Sequence, residues 1–229
     1  MARLLLIAAS AALLASTSAA AAVLVVRSSG PSAAAYPPGK ALPDNHVLKL
    51  KATDMIVLLD SRGTRTINGP GSFSVAANAA PVTTSTNTAG TSARRVRLGA
   101  VRGTGGTRSV WQADLGRTGN VCIANPSELT LYRPDATAAA DVTLTDSDGK
   151  TASVHFAANQ WEAGWPADIA VTAGKRINIS GLAQPTTLTL RQLSPIPSGL
   201  EGMAQSLIRA DCQAQLDVLV DTFSARSEG

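Results

Sequence analysis

Residues 141–156 read D-V-T-L-T-D-S-D-G-K-T-A-S-V-H-F, and this stretch decides the fold class. Apolar and polar residues alternate on either side of Ser147-Asp148-Gly149. A period of two turns one face of each strand toward a core, and the glycine suits the left-handed backbone of a hairpin turn. The stretch is therefore a β-hairpin.

Outward from it the same signal repeats. Trp111 to Leu115, Val121 to Ala124, Leu129 to Tyr132, Gln160 to Trp165, Arg176 to Ser180 and Thr187 to Gln192 all read as strands. Short strands with turns between them predict an immunoglobulin-like β-sandwich over 109–196. A second, smaller β module is expected over 23–76. Its strands are Val23 to Arg27, Val47 to Leu50, Met55 to Leu59, Thr64 to Ile67 and Phe73 to Val75, punctuated by the turn-rich Pro31 to Gly39 and by Gly69-Pro70-Gly71. The fold class is thus mainly β, with a flexible linker over 77–108 between the two modules.

The C-terminus carries a different period. Leu200, Met203, Leu207, Ile208, Cys212, Leu216, Leu219, Val220 and Phe223 recur at helical spacing, and S198-G-L-E201 reads as a capping box. One helix over 197–225 is expected, packed on the sandwich. Cys212 lies on its apolar stripe, where a strand residue, Cys122, could meet it.

The chain has 229 residues, 45% hydrophobic, 3% aromatic and 16% charged, a mixture that suits an exported β-rich protein with aliphatic cores. Its net charge of +4 permits weak attraction to anionic polymers and says nothing of fold. Arg3, the apolar Leu4 to Ala15 and the small residues Ser16 to Ala22 read as a signal peptide over 1–22, cleaved to leave a periplasmic or secreted protein. The competing reading is an uncleaved inner-membrane anchor continuing through Val26. Only two cysteines are present, Cys122 and Cys212, with neither a CxxC nor a histidine cluster, so a structural disulfide is expected in an oxidising compartment.

Sites of chemistry are few. D60-S-R-G-T-R-T-I-N-G-P-G-S-F-S74 is rich in glycine and arginine, yet no Lys-Ser or Lys-Thr step and no helix follows its glycines, so it turns the chain and cradles no phosphate. R102-G-T-G-G-T-R108 fails in the same way. His46 and His155 are the only imidazoles, one in a turn region and one within a predicted strand, and no G-x-S-x-G elbow accompanies them. Asp146 and Asp148 are turn carboxylates without the other oxygens of a calcium loop. Trp161 and Trp165 would share one strand face as core residues. No catalytic, cofactor or metal site is predicted. The segment with functional pull is Arg94, Arg95, Arg97, Arg102 and Arg108, in a region without Asp or Glu between Asp60 and Asp114. It could contact an anionic envelope polymer, a lipid or an acidic partner in a salt-sensitive way. Lacking interleaved aromatics, it is not expected to bind specific nucleic acid.

V23-L-V-V-R27, P37-P-G-K-A-L42, L48-K-L-K-A-T-D54, V57-L-L-D60 and G69-P-G71 together resemble the FecR-type β module of bacterial periplasmic proteins, with Thr53 where that pattern usually has glycine. The whole chain resembles uncharacterised exported bacterial proteins that join such a module to a domain with V-C-I-A (Val121 to Ala124) and L-Y-R-P-D (Leu131 to Asp135), followed by C-Q-A-Q-L-D (Cys212 to Asp217). The expected role, with no catalytic constellation in the sequence, is that of a non-enzymatic periplasmic binding or scaffolding protein of the cell envelope with an unidentified envelope partner. Only Met1, Ala2 and Arg3 precede the apolar segment, so transmembrane sigma-factor signalling is not carried over. A divergent cell-envelope hydrolase is the competing expectation.

Overall fold

The structure, a computed structural model, describes residues 22–76 and 108–224. The sequence-predicted segments 1–21, 77–107 and 225 lie outside the described residues. The described residues are mainly β, as expected, with α-helices only at the C-terminal end and two short 3-10 turns, Ala33–Ala35 and Pro126–Glu128, elsewhere.

The N-terminal module contains β1 (Ala22–Ser29), β2 (Ala41–Pro43), β3 (Val47–Leu50), β4 (Met55–Asp60), β5 (Gly63–Asn68) and β6 (Gly71–Ser74). Four of these strands form an antiparallel sheet in the order β2-β1-β4-β5, while β3 and β6 pair separately. In β1 and β4 the apolar run is unbroken because both faces of the sheet are covered. Val23, Val25, Ile56 and Leu58 face a core shared with Leu48, Leu50 and Val75. Leu24, Val26, Val57 and Leu59 face the C-terminal helices instead. Val23 to Val26 are therefore committed to a buried strand and do not extend a membrane-spanning helix. No helix among the described residues is long and apolar enough to cross a membrane.

The sandwich contains β7 (Gln112–Asp114), β8 (Gly119–Ile123), β9 (Thr130–Tyr132), β10 (Ala140–Asp146), β11 (Thr151–Phe156), β12 (Glu162–Gly164), β13 (Arg176–Ser180) and β14 (Thr186–Gln192). Its larger sheet runs β11-β10-β13-β14-β8 and its smaller one β12-β9-β7. Two pairs, β8 with β14 and β7 with β9, are parallel. Leu115, Val121, Ile123, Leu131, Val142 and Ile177 are among the residues that fill the space between the sheets. Trp161 and Trp165 flank the three-residue β12 rather than sharing a strand face. Trp165 packs against the sandwich core and donates its Nε1–H to Ile169 O at 2.8 Å, while Trp161 stacks on Tyr132.

The expected single helix is two helices, α1 (Gly199–Arg209) and α2 (Gln213–Ser224). Between them Asp211 is left-handed, with φ 54°. The Cys212 N–H donates to Leu207 O at 2.9 Å and the Asp211 N–H to Ile208 O at 3.1 Å, the paired bonds of a Schellman end. The expected capping box also fails. Ser198 precedes α1, but its side chain makes no cap hydrogen bond.

The helices pack on the sandwich, as expected, and on the first module as well. Leu207, Leu216, Leu219, Val220 and Phe223 share a core with Leu24, Val26, Val57 and Leu59 of the first module, and with Cys122 and Leu193 of the sandwich. The helices are a layer between the two modules rather than a lid on one. Burying the four aliphatic side chains of the first module contributes about 6–12 kcal/mol as an upper bound.

Candidate functional site

Three places on the described residues bring functional groups together. The first is the seam where α2 meets both modules. β8 is the strand on which two cores meet: Val121 and Ile123 point into the sandwich, and Cys122 points into the helical layer. Cys122 and Cys212 form a disulfide with a Cα separation of 5.9 Å, inside the range such a bond requires. Both cysteines are buried. Beside the bond, the fully enclosed Gln215 treats β8 as a strand partner would. Its Oε1 accepts from the Cys122 N–H at 2.6 Å, and its Nε2 donates to Cys122 O at 2.8 Å and Val110 O at 2.6 Å. One side chain thus takes the outward backbone groups of Cys122 on the edge strand of the larger sheet.

Charge follows the same seam. Asp217 on α2 accepts from Arg27 of β1 on one side and from Arg117 of the sandwich on the other, at 2.7 Å for the second. The Thr64 hydroxyl of β5 donates to Val220 O at 3.2 Å. The disulfide and the amide therefore fix α2 on the sandwich, and the carboxylate and Thr64 tie the helix to the first module.

The second place is a cleft of about 380 Å³ at one end of the sandwich, between residues 133–140 and 181–184. At its floor Arg133 is 2% exposed. Its guanidinium lies over the Phe156 ring, and it donates to the carbonyls of Gln160, Ala138, Ala136 and Ala157. Those bonds spend four of its five N–H donors on the backbone, so Arg133 holds the loops in shape. On the rim, the N–H and hydroxyl of Thr137 hold the Asp135 carboxyl below the ordinary carboxylate range. Ala138, Ala139, Ala140, Leu182 and Ala183 supply apolar wall around it.

The third place is the outer face of the β10–β11 hairpin. The expected turn at 147–149 is present, with Gly149 at φ 82°. Asp146 is its organiser: buried, it accepts from the N–H groups of Asp148 and Lys150 and from Lys175 Nζ at 2.7 Å. The Lys175 ammonium lowers the Asp146 pKa, and Asp146 in turn raises that of Lys175. Toward the other end of the hairpin, His155 Nδ1 lies 2.8 Å from Asp141 Oδ1, with both side chains largely in solvent. Ser153 shares their face of the sheet, but no hydrogen bond joins it to the imidazole. The pair lines none of the described cavities.

The remaining sequence candidates divide by position. Arg94, Arg95, Arg97 and Arg102 lie outside the described residues. Arg108 begins the sandwich, where it pairs with Asp114 at 2.6 Å and lies over the Tyr132 ring; its charge is already met within the chain. His46 packs edge-on to Tyr36 beside β2, far in sequence from His155. Among the described residues no three His, Cys, Asp or Glu side chains gather as metal ligands. Sequence reasoning missed Gln215, Asp217 and Arg133, none of which carries a local signal of burial. No protein-family model, curated protein or solved structure matches the chain.

Proposed function

We propose that the chain is an exported, non-enzymatic binding or scaffolding protein of the cell envelope. The observation that carries this reading is the seam. The Cys122–Cys212 bond and the three bonds of Gln215 lock α2 onto the sandwich, and Asp217 through Arg27, Thr64 and the shared apolar core join the same helical layer to the first module. Fixed geometry between two β surfaces is what a scaffold requires. A buried disulfide supports export, because such bonds persist in oxidising compartments.

The FecR-like reading of the first module draws support from Thr53. It adopts φ 68°, a left-handed value, at the position where the family pattern has glycine. Asp54 beside it organises the turns in that pattern. Burial pushes its carboxyl up, but hydrogen bonds from Ser32 and the Lys51 N–H outweigh this and leave its pKa lowered. Against a hydrolase stands the exposure of the His155–Asp141 pair, with solvent where a substrate cavity would be needed.

Expression of the full chain in a Gram-negative host, followed by fractionation and intact-mass measurement, tests the reading. A periplasmic protein shortened by about 21–22 residues and lacking free thiols is expected. A reduced cytoplasmic chain would overturn export, and ester or glycoside turnover lost on His155→Ala would overturn the non-enzymatic role.

A further inference from the structure

The larger sheet of the sandwich has two edges, and a side chain caps only one of them. At β8 the outward N–H and C=O of Cys122 are taken by Gln215. At the other edge, β11 runs six residues, Thr-Ala-Ser-Val-His-Phe, in unbroken register with β10 and without proline, lysine or a bulge. Those are the devices that ordinarily keep a free edge from pairing.

The direction of its backbone groups follows from the turn. The Asp146 N–H donates to Lys150 O at 2.9 Å. Bonded and non-bonded pairs alternate along an antiparallel ladder, so Leu144–Ala152, Val142–Val154 and Ala140–Phe156 are bonded pairs. Thr151, Ser153 and His155 therefore turn three N–H and three C=O groups away from β10. None of these groups is hydrogen-bonded to another described residue. Alongside the edge, Ala152 and Val154 of β11 and Ala163 and Trp165 at β12 are only partly buried, and all four border the sandwich core. The three-residue β12 leaves this side of the larger sheet incompletely covered.

We infer that β11 receives an extended segment of a partner polypeptide as an added strand, a deepening that rests on the binding role proposed above. Main-chain bonds would supply the attraction, and alternate apolar side chains of the segment would enter the gap beside Val154 and Trp165. Six residues of strand span about 20 Å. Two folded copies meeting only along that line would fall short of the roughly 1,200–2,000 Å² of a stable interface, which favours a flexible segment over a second copy. Charge narrows its composition. Asp141, whose side chain is 82% exposed, and the exposed Glu162 lie near the Phe156 end of the edge. A Lys or Arg on the outward face of the segment complements them.

The test uses the full, oxidised chain and a fluorescent peptide, acetyl-Lys-Val-Thr-Val-Lys-Val-amide. Anisotropy should report saturable binding, and hydrogen exchange should slow at the amides of Thr151, Ser153 and His155. Ser153→Pro removes an outward N–H while leaving the bonds to β10 in place, and should weaken binding at least tenfold. Asp141→Asn should weaken it about threefold at low salt and less at high salt. Should the proline disturb the sheet, the same peptide N-methylated at its edge-facing amides gives the same test on the unmodified protein. Equal binding of the methylated peptide, protection away from β11, or a dimer whose β11 amides are protected without peptide would each overturn the inference. Loss of binding in a protein still exported and oxidised condemns the edge alone, whereas a reduced cytoplasmic chain condemns the role beneath it.

Discussion

Replacing Gln215 by methionine keeps the volume of the side chain and removes its three hydrogen bonds. The Cys122 N–H and C=O are left without partners in an enclosed seam, while Val110 sits at a partly buried position where water can take its carbonyl. Each buried orphan costs about 1–3 kcal/mol, so Gln215→Met should destabilise the oxidised protein by about 2–6 kcal/mol. Gln215→Glu should be worse at neutral pH, because a carboxylate can still accept from the Cys122 N–H but opposes both carbonyls. Urea unfolding followed by circular dichroism, with the disulfide intact, measures the change as a fall in midpoint at unchanged slope. Hydrogen exchange at the Cys122 amide should accelerate in the methionine variant. A loss below about 1 kcal/mol for methionine, or a glutamate variant no worse than methionine, would show that β8 finds other partners and that Gln215 is not its edge.

Three further outcomes are expected. Removing the disulfide with Cys122→Ala and Cys212→Ala frees a loop spanning a sequence separation of 90, which the chain-entropy relation converts to about 4.6 kcal/mol; urea midpoints with and without reductant check it, and a difference under about 1 kcal/mol would remove the disulfide from the list of stabilising links. Asp146 has its pKa held below the ordinary carboxylate value by the Lys175 ammonium. Its contribution is complete above about pH 4 and is lost as pH falls through the depressed value, while that of Lys175, raised from 10.5, is lost as pH rises through the raised one. Asp146→Asn should flatten both limbs of a plot of melting temperature against pH. Thr53→Gly relieves a left-handed β-branched residue, worth about 1–2 kcal/mol, against about 0.5–1 kcal/mol of added backbone freedom; a net gain of about 0.5–1 kcal/mol is expected by thermal unfolding, and Thr53→Ala should show none of the relief specific to glycine.

The strands were legible because burial leaves a periodic trace. Val142 and Leu144 alternate with threonines since one face of β10 meets the core, and V23-L-V-V26 does not alternate since β1 is covered on both faces. What covered the second face was not legible. Partners for Leu24 and Val57 arrive with Met203, Leu207 and the rest of the C-terminal helices, at the far end of the chain, and no local pattern encodes so distant a pairing. The helix break was hidden for a related reason. Leu207, Cys212, Leu216 and Leu219 keep helical spacing across it, while the left-handed residue is Asp211 rather than the glycine that usually marks such an end.

The candidate site was legible only where it is covalent. Two cysteines in an otherwise cysteine-free chain point at each other, and their bond placed α2 on β8. Gln215 could not be singled out: Gln213 and Gln215 flank one alanine and look alike in sequence, yet Gln213 is exposed and Gln215 faces the Cys122 backbone. That contrast explains why the two edges of one sheet differ. An edge closed by a side chain from elsewhere in the chain depends on tertiary placement, and so gives no local signal. An edge left open gives none either, since Thr151, Ser153 and His155 are ordinary strand residues until the absence of a neighbour is seen. The asymmetry between β8, sealed by a residue 93 positions away, and β11, with its row of outward amides, is therefore a property of the assembled fold. The proposed strand-addition edge lies on the sandwich side remote from the seam, where adding a strand would leave the disulfide and the helical layer undisturbed.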